Sequence, residues 1–202
     1  MMKKIVFAAA LTVLASTAYG ATVDVTTYNG FTENPGVGIA FTDPVFNASF
    51  NSPSDGFTLD FNNQVATVGA TVSPYDANTS FGATLTGYLD ASATGSYTVT
   101  LGSDDAGYLF INNALVVSRP GLNGYGTNDA SVDLTAGVHP FTIEYYNGPP
   151  TGAAVGLGLS SGLTVTGVPE PSTWALLILG FAGLGWAGYR RARPSATVLA
   201  AG

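Results

Sequence analysis

Apolar and polar residues alternate with a period of two along the middle of the chain. In "SYTVTL", Tyr97, Val99 and Leu101 share one face, and Thr98 and Thr100 the other. In "FTIEYY", Phe141, Ile143 and Tyr145 oppose Thr142, Glu144 and Tyr146. Such alternation marks half-buried strands, because successive side chains of an extended backbone point to opposite sides. The same reading predicts strands at 23–28, 57–61, 65–72, 81–89, 108–111, 115–118, 131–134 and 154–159. Asn112-Asn113 is a tight-turn pair, since Asn tolerates positive φ. No helical periodicity separates these segments, so the fold class is all-β, an antiparallel β-sandwich. The stretch 121–129, "GLNGYGTND", reads as a flexible loop. No strand-to-helix turn accompanies its glycines, so it is not a phosphate cradle.

The two ends break this pattern. "MMKK" precedes "IVFAAALTVLA", and "STAYGA" follows. A basic start, an apolar run and small residues predict a signal peptide over 1–20, cut before Ala21. Near the other end, "WALLILGFAGLGWAGY" with Ser172 and Thr173 makes 18 uncharged residues. That length predicts a membrane-spanning helix. The following "RRAR" predicts a cytoplasmic end, with the bulk of the chain outside. Strand character fades after Ser160. The sandwich is therefore placed at 21–160 and a linker at 161–172, with a last short strand at 163–165 as the alternative. The transmembrane helix and basic cluster occupy 173–193, and a tail 194–202.

Charge narrows the partners. Residues 21–168 hold twelve acids and one base, Arg119, a net charge of −11, against −7 for the whole chain. Both lysines lie in the signal peptide, and the other three arginines follow the C-terminal helix. A domain with one base cannot neutralise phosphates, so nucleic acid is excluded and cations are the natural partners. There is no cysteine. That removes disulfides, a thiol nucleophile, Cys-ligated zinc and iron–sulfur clusters. A core of this size folds without such staples.

One short stretch, "GSDDAGYLF", sets Asp104 beside Asp105 where one strand stops and another begins. Adjacent like charges repel. Two readings stand: a solvated turn, since Asp, Asn and Gly favour turns, or a pair that holds a cation. His139 is the one histidine, and no Gly-x-Ser-x-Gly elbow accompanies it, so a nucleophilic triad has no support. Glycoside hydrolysis needs two carboxylates facing each other across a sugar. Nothing in the spacing of Asp133 and Glu144 argues for such a pair, and the chain reads as a non-enzyme.

Two family resemblances add to these readings. "VPEPSTWALLILGFAGLGWAGYRRAR", residues 168–193, resembles the PEP-CTERM sorting signal. It has the triplet Pro169-Glu170-Pro171, a spacer, an apolar helix, and a basic cluster with Arg190, Arg191 and Arg193. The tail "PSATVLAAG" is longer than is usual after such arginines. The resemblance implies recognition by an exosortase, a membrane cysteine transpeptidase that cuts near the triplet. It also implies association with extracellular polysaccharide in biofilms.

Residues 81–159 resemble the protective-antigen-type (PA-fourteen) domain, a β-sandwich. The resemblance rests on "LTGYLDASATGSYTVTLGSDDAGYLFINNALVV", "VDLTAGVHPFTIEYYNG" and "VGLGLS". Ala106 separates the aspartates from Gly107, and Asn112-Asn113 stands where Asp-Gly is usual. Residues 21–80 match poorly. The resemblance implies a cis peptide between Asp104 and Asp105, a shared Ca2+, and an asparagine from a later loop, for which Asn147 in "YYNGPP" is the candidate. It also implies sugar hydroxyls on the same ion, and a structural hairpin position for His139. Tyr125, Tyr145 and Tyr146 have aromatic faces suited to sugar rings. Core packing is the competing reading for Tyr145 and Tyr146, and Tyr125 is the surface candidate. Arg119 either pairs with a domain acid or donates to an acidic sugar.

The expectation is an exported, exosortase-sorted matrix or adhesion protein with a calcium-dependent carbohydrate-binding module. It is membrane-anchored before processing, then at the cell surface or in the extracellular matrix. The alternative is a purely structural biofilm-matrix protein, and a glycan hydrolase is less favoured.

Overall fold

Alternation along the chain becomes two antiparallel sheets. The computed structural model describes residues 21–61, 73–75, 78–148, 152–167 and 181–182. The expected signal peptide and the strand at 65–72 lie outside these residues. So does nearly all of the sorting segment. Among the described residues the strands are β1 (Ala21–Asn34), β2 (Gly38–Ser52), β3 (Gly56–Asp60), β4 (Phe81–Ala91), β5 (Gly95–Asp104) and β6 (Ala106–Ile111). They continue as β7 (Ala114–Arg119), β8 (Gly126–Leu134), β9 (Gly137–Asn147), β10 (Ala154–Leu159) and β11 (Leu163–Thr166). One sheet runs β2-β1-β4-β9-β6-β7, with β11 also on β4, and the other runs β3-β10-β5-β8. The chain divides into units Met1–Val168 and Pro169–Gly202. In the second, residues 181 and 182 are helical. No helix among the described residues is long and apolar enough to cross a membrane.

The core lies between the sheets. Leu59, Val99, Leu101 and Val155 of the smaller sheet, and Leu85, Leu89, Leu109 and Ile143 of the larger, are fully buried in one cluster. Each such side chain contributes about 1.5–3 kcal/mol by leaving water. A second cluster forms on the other face of β6 and β9, where Ala106, Tyr108 and Tyr146 meet Ile39, with Phe31, Phe41 and Phe110 around them. The β1–β2 hairpin therefore covers the outer face of the larger sheet, and β6 is buried on both sides.

Three elements depart from the sequence reading. β2 was not expected. It is an edge strand paired only with β1, so most of its side chains stay exposed and the apolar alternation is weak. Its register also shifts opposite Thr27/Tyr28, and Asp43 takes a φ of 55°. β8 begins at Gly126, so 126–129 is strand rather than flexible loop. Its polar residues pair with Thr100–Ser103 of β5, and Thr100 Oγ1 donates to Asp129 at 2.7 Å. The linker boundary also moves. β11 joins β4, buries Leu163 and Val165, and takes a bond from Val165 N to Ser54 O at 2.9 Å. The sandwich therefore includes Thr166. Asn112 and Asn113, with φ of 52° and 64°, form the expected left-handed turn between β6 and β7.

Candidate functional site

β5 belongs to the smaller sheet and β6 to the larger, and Asp105 alone separates them. The aspartate pair therefore sits at a corner where the chain crosses between layers. The peptide joining Asp104 to Asp105 is cis. The Asp104 carbonyl accepts the Tyr145 hydroxyl at 2.5 Å, which ties the corner to the core.

The two carboxylates meet different surroundings. Asp105 is nearly buried. Its Oδ1 accepts Asn123 N at 2.9 Å and its Oδ2 accepts Gly148 N at 2.6 Å. Asp104 is more open, and its carboxylate accepts the Tyr125 backbone N–H. Burial and the neighbouring Asp105 charge push the Asp104 carboxyl above its ordinary range, against the Tyr125 amide and the Arg119 guanidinium. Burial, then the charges of Asp104 and Asp105, raise the Tyr145 phenol, so it remains a donor.

Asn147 ends β9 next to Gly148, and is fully buried. Its Nδ2 donates to Thr79 O at 2.8 Å, and its own carbonyl accepts Ser80 Oγ at 3.2 Å. The nitrogen end of the amide is thus committed to the Thr79 carbonyl. Gly152 lies against the Asp104 carboxylate, where a Cβ would collide with Oδ2. Gly148 lies beside Asp105, with Oδ2 3.3 Å from the place of a Cβ, and there the Cβ would collide with Leu122. Carboxylate and amide oxygens are the hard donors that Ca2+ takes. Each carboxylate oxygen has two lone pairs, so the backbone bonds to Asp105 leave acceptor capacity. The donor set therefore fits the ion. No group of three or more His, Cys, Asp or Glu gathers among the described residues.

The remaining candidates divide. Tyr125 is 51 % exposed, and its hydroxyl lies 2.5 Å from where a Cβ on Gly102 would stand, so the ring rests across β5. Arg119 donates to Gly124 O at 3.1 Å, and its buried Nε has no hydrogen-bond partner among the described residues. Tyr145 and Tyr146 offer no open face. Tyr145 packs against Phe61 and Phe81. Tyr146 stacks on Phe31 at 4.7 Å. His139 is a structural clamp: Nε2 bonds Thr135 O at 2.8 Å, and Nδ1 bonds the Asn112 amide at 3.0 Å. Asp133 is exposed on β8 between inward-facing Val132 and Leu134, whereas Glu144 lies on the outer face of the other sheet, bonded to Ile39 N at 2.6 Å. The sandwich separates these two carboxylates, so they do not face one another.

Residues the sequence reading missed also shape the corner. Leu122 is 72 % exposed beside Gly148. Glu33, near the end of β1, accepts Tyr108 OH at 2.6 Å, Gly121 N at 2.8 Å and Tyr146 OH at 3.0 Å. Burial and the Glu33 carboxylate push both phenols up, so they stay protonated donors at neutral pH. No motif flags Glu33, because its partners come from distant strands.

The model of the PA14 domain family matches residues 26–171. The match begins in β1, so the family pattern includes the strands before residue 81. A model described as the PEP-CTERM protein-sorting motif matches residues 167–191. No curated protein sequence matches the chain. Among solved structures, the PA14 domain of the MpAFP antifreeze protein is similar, with a TM-score of 0.50 and 19 % identity, covering 73 % of this chain and 87 % of that one. The PA14 sugar-binding domain from an RTX adhesin gives 0.46 and 17 %, covering 70 % of this chain and 90 % of that one. A β-glucosidase from Kluyveromyces marxianus gives 0.48 and 17 %, covering 69 % of this chain, which spans only 17 % of the glucosidase. At these identities the likeness is one of fold.

Proposed function

Since the chain belongs to the PA14 domain family and bears a PEP-CTERM protein-sorting motif, we propose that its sandwich is a calcium-dependent carbohydrate-binding module displayed outside the cell. The sorting motif marks an exported protein that is membrane-anchored as a precursor and then lies at the cell surface. An exosortase-type transpeptidase is the processing partner, and extracellular polysaccharide is the ligand class.

The observation that carries the reading is a pair of adjacent carboxylates at one corner, with the end of β9 held against Asp105 through the Gly148 amide. Asp104 and Asp105 supply the anionic ligands, and the Asn147 amide oxygen a neutral one. Bound there, Ca2+ supplies open coordination positions for sugar hydroxyls. Tyr125 presents an aromatic face beside them, Leu122 an apolar edge, and Arg119 the one positive charge of the outer domain. The similar PA14 domain from an RTX adhesin is a sugar-binding domain, and the similar A domain of epithelial adhesin 9 from Candida glabrata is in complex with Galb1-3GlcNAc. These neighbours support the ligand class. The separation of Asp133 from Glu144 supports binding rather than hydrolysis.

A second reading has its own support. Backbone amides of Asn123, Tyr125 and Gly148 already compensate the pair, as in a purely structural surface protein whose acids organise loops. A glycan array probed with the purified full chain in detergent separates the two. The binding module gives signals in millimolar calcium that EDTA abolishes; a blank array in both media leaves the structural reading.

A further inference from the structure

We infer that Glu33 is the positioning residue of the loop that closes over the aspartate pair. Three alternate amides of that loop end on carboxylates: Gly121 N on Glu33, Asn123 N on Asp105, and Tyr125 N on Asp104. Two of these anchors are the proposed metal ligands, and the third comes from β1 of the larger sheet. The loop also carries a clamp of its own. Asn123 Nδ2 donates to Pro120 O at 2.7 Å and to Gly121 O at 3.0 Å. A displacement of Gly121 is therefore passed to Asn123, and from there to Asp105. Gly121 takes a φ of +86°, a conformation that suits glycine. Between and beyond the anchored amides, Leu122 and Tyr125 project outward.

Glu33 is suited to be a fixed post. Its Oε1 holds both Tyr108 OH and Gly121 N, and its Oε2 takes Tyr146 OH. Tyr108 is fully buried, and Tyr146 is pinned by its stack on Phe31. The core side of the carboxylate is thus immobilised, and the loop side receives its first amide at a set place. The loop's ligand role rests on the proposed calcium and sugar reading; its dependence on Glu33 does not.

Residue-resolved hydrogen exchange and calcium titration of the full chain in detergent test this. Glu33→Ala is expected to speed exchange at Gly121, Asn123 and Tyr125 about tenfold and to weaken calcium binding about as much, the scale of one charged hydrogen bond. Protection in β5 and β9 stays at the wild-type level. Glu33→Gln keeps a carbonyl oxygen for Gly121 and retains both properties. Tyr146→Phe removes a different partner of Glu33 and leaves the loop protected. Asn123→Ala cuts the clamp on the exposed loop, so Tyr125 exchanges faster while Gly121 stays protected. The inference is overturned if loop exchange in Glu33→Ala stays within about twofold of wild type. Should Glu33→Ala fail to fold, loss of Gly121 protection in Asn123→Ala overturns it. Exchange needs no metal, so a wild-type chain that binds no calcium sinks the metal reading and not this one.

Discussion

Asp104→Asn preserves side-chain size and keeps an oxygen for the Tyr125 amide, yet it removes one of two adjacent charges. Its effect on stability is expected to change sign with calcium. In the metal-free protein, burial and the Asp105 charge both disfavour an ionised Asp104, so the substitution relieves repulsion. The variant then melts at or above the wild-type temperature in EDTA. With calcium at a hundredfold its Kd, wild type gains about 2.7 kcal/mol by mass action. In a domain of about 150 residues, 1 kcal/mol moves the melting temperature by roughly 2–4 °C, so the rise is roughly 5–11 °C. The variant lacks a ligand and loses most of that rise. The order of stability therefore inverts between the two media. Differential scanning fluorimetry of the full chain in EDTA, in calcium and in magnesium reads this directly, and magnesium is the control because it dehydrates reluctantly. An unchanged order in EDTA and calcium refutes the reasoning, as does a wild-type calcium increment below about 1 °C.

Tyr125→Ala removes an exposed ring but keeps the backbone N–H that reaches Asp104. Glycan affinity should fall about fivefold, for a stacking contribution of about 1 kcal/mol, while the calcium increment in melting temperature is retained; equal loss of both argues against a ring contact. Glu144→Gln tests charge at the β1–β2 hairpin. Burial holds the Glu144 carboxyl above its ordinary value of 4.5, against the pull of the Ile39 amide. A raised carboxyl contributes stability that is complete below 4.5 and is lost as pH rises through the folded value. The Gln variant keeps an acceptor for Ile39 and escapes this loss, so it gains on wild type as pH rises above 4.5. A melting-temperature difference that stays constant from about pH 4 to 8 contradicts the assignment.

The legibility of the chain follows from where each residue buries. β5 and β9 were readable because each has hydrogen-bonded neighbours on both sides and one face in the core, and that geometry demands alternation. β2 and the start of β8 lie at sheet edges, where exposed Thr, Asn and Ser satisfy the backbone without an apolar stripe. The cis peptide at Asp104-Asp105 was reachable from the resemblance, because the two residues that carry it are adjacent in sequence. Asn147, expected in a loop, is the last residue of β9. Glu33 and Leu122 were not readable. Glu33 meets Tyr108, Gly121 and Tyr146 only after β1 has folded over β6 and β9, and no local period encodes that meeting. Tyr146 alternates as a surface residue would, and is buried because the β1–β2 hairpin covers it.

A net charge of −11 with a single base also explains how the corner is built. Acids in such a domain cannot be paired with lysines, so compensation falls on backbone N–H groups and on ions from outside. Glu33, Asp104, Asp105 and Glu144 each accept a backbone amide, from Gly121, Tyr125, Asn123 or Gly148, and Ile39. Backbone donors of this kind require the chain to approach the carboxylates closely. Gly148 and Gly152 lie where a side chain would collide with the aspartate corner or its Leu122 neighbour. The glycine- and asparagine-rich loops are thus the electrostatic counterpart of the missing lysines. Amides fix geometry but carry only partial charge, so two adjacent carboxylates held this way retain net negative charge. That residual charge is the physical basis for expecting a divalent cation at the corner and not at the isolated acids Glu33 or Glu144.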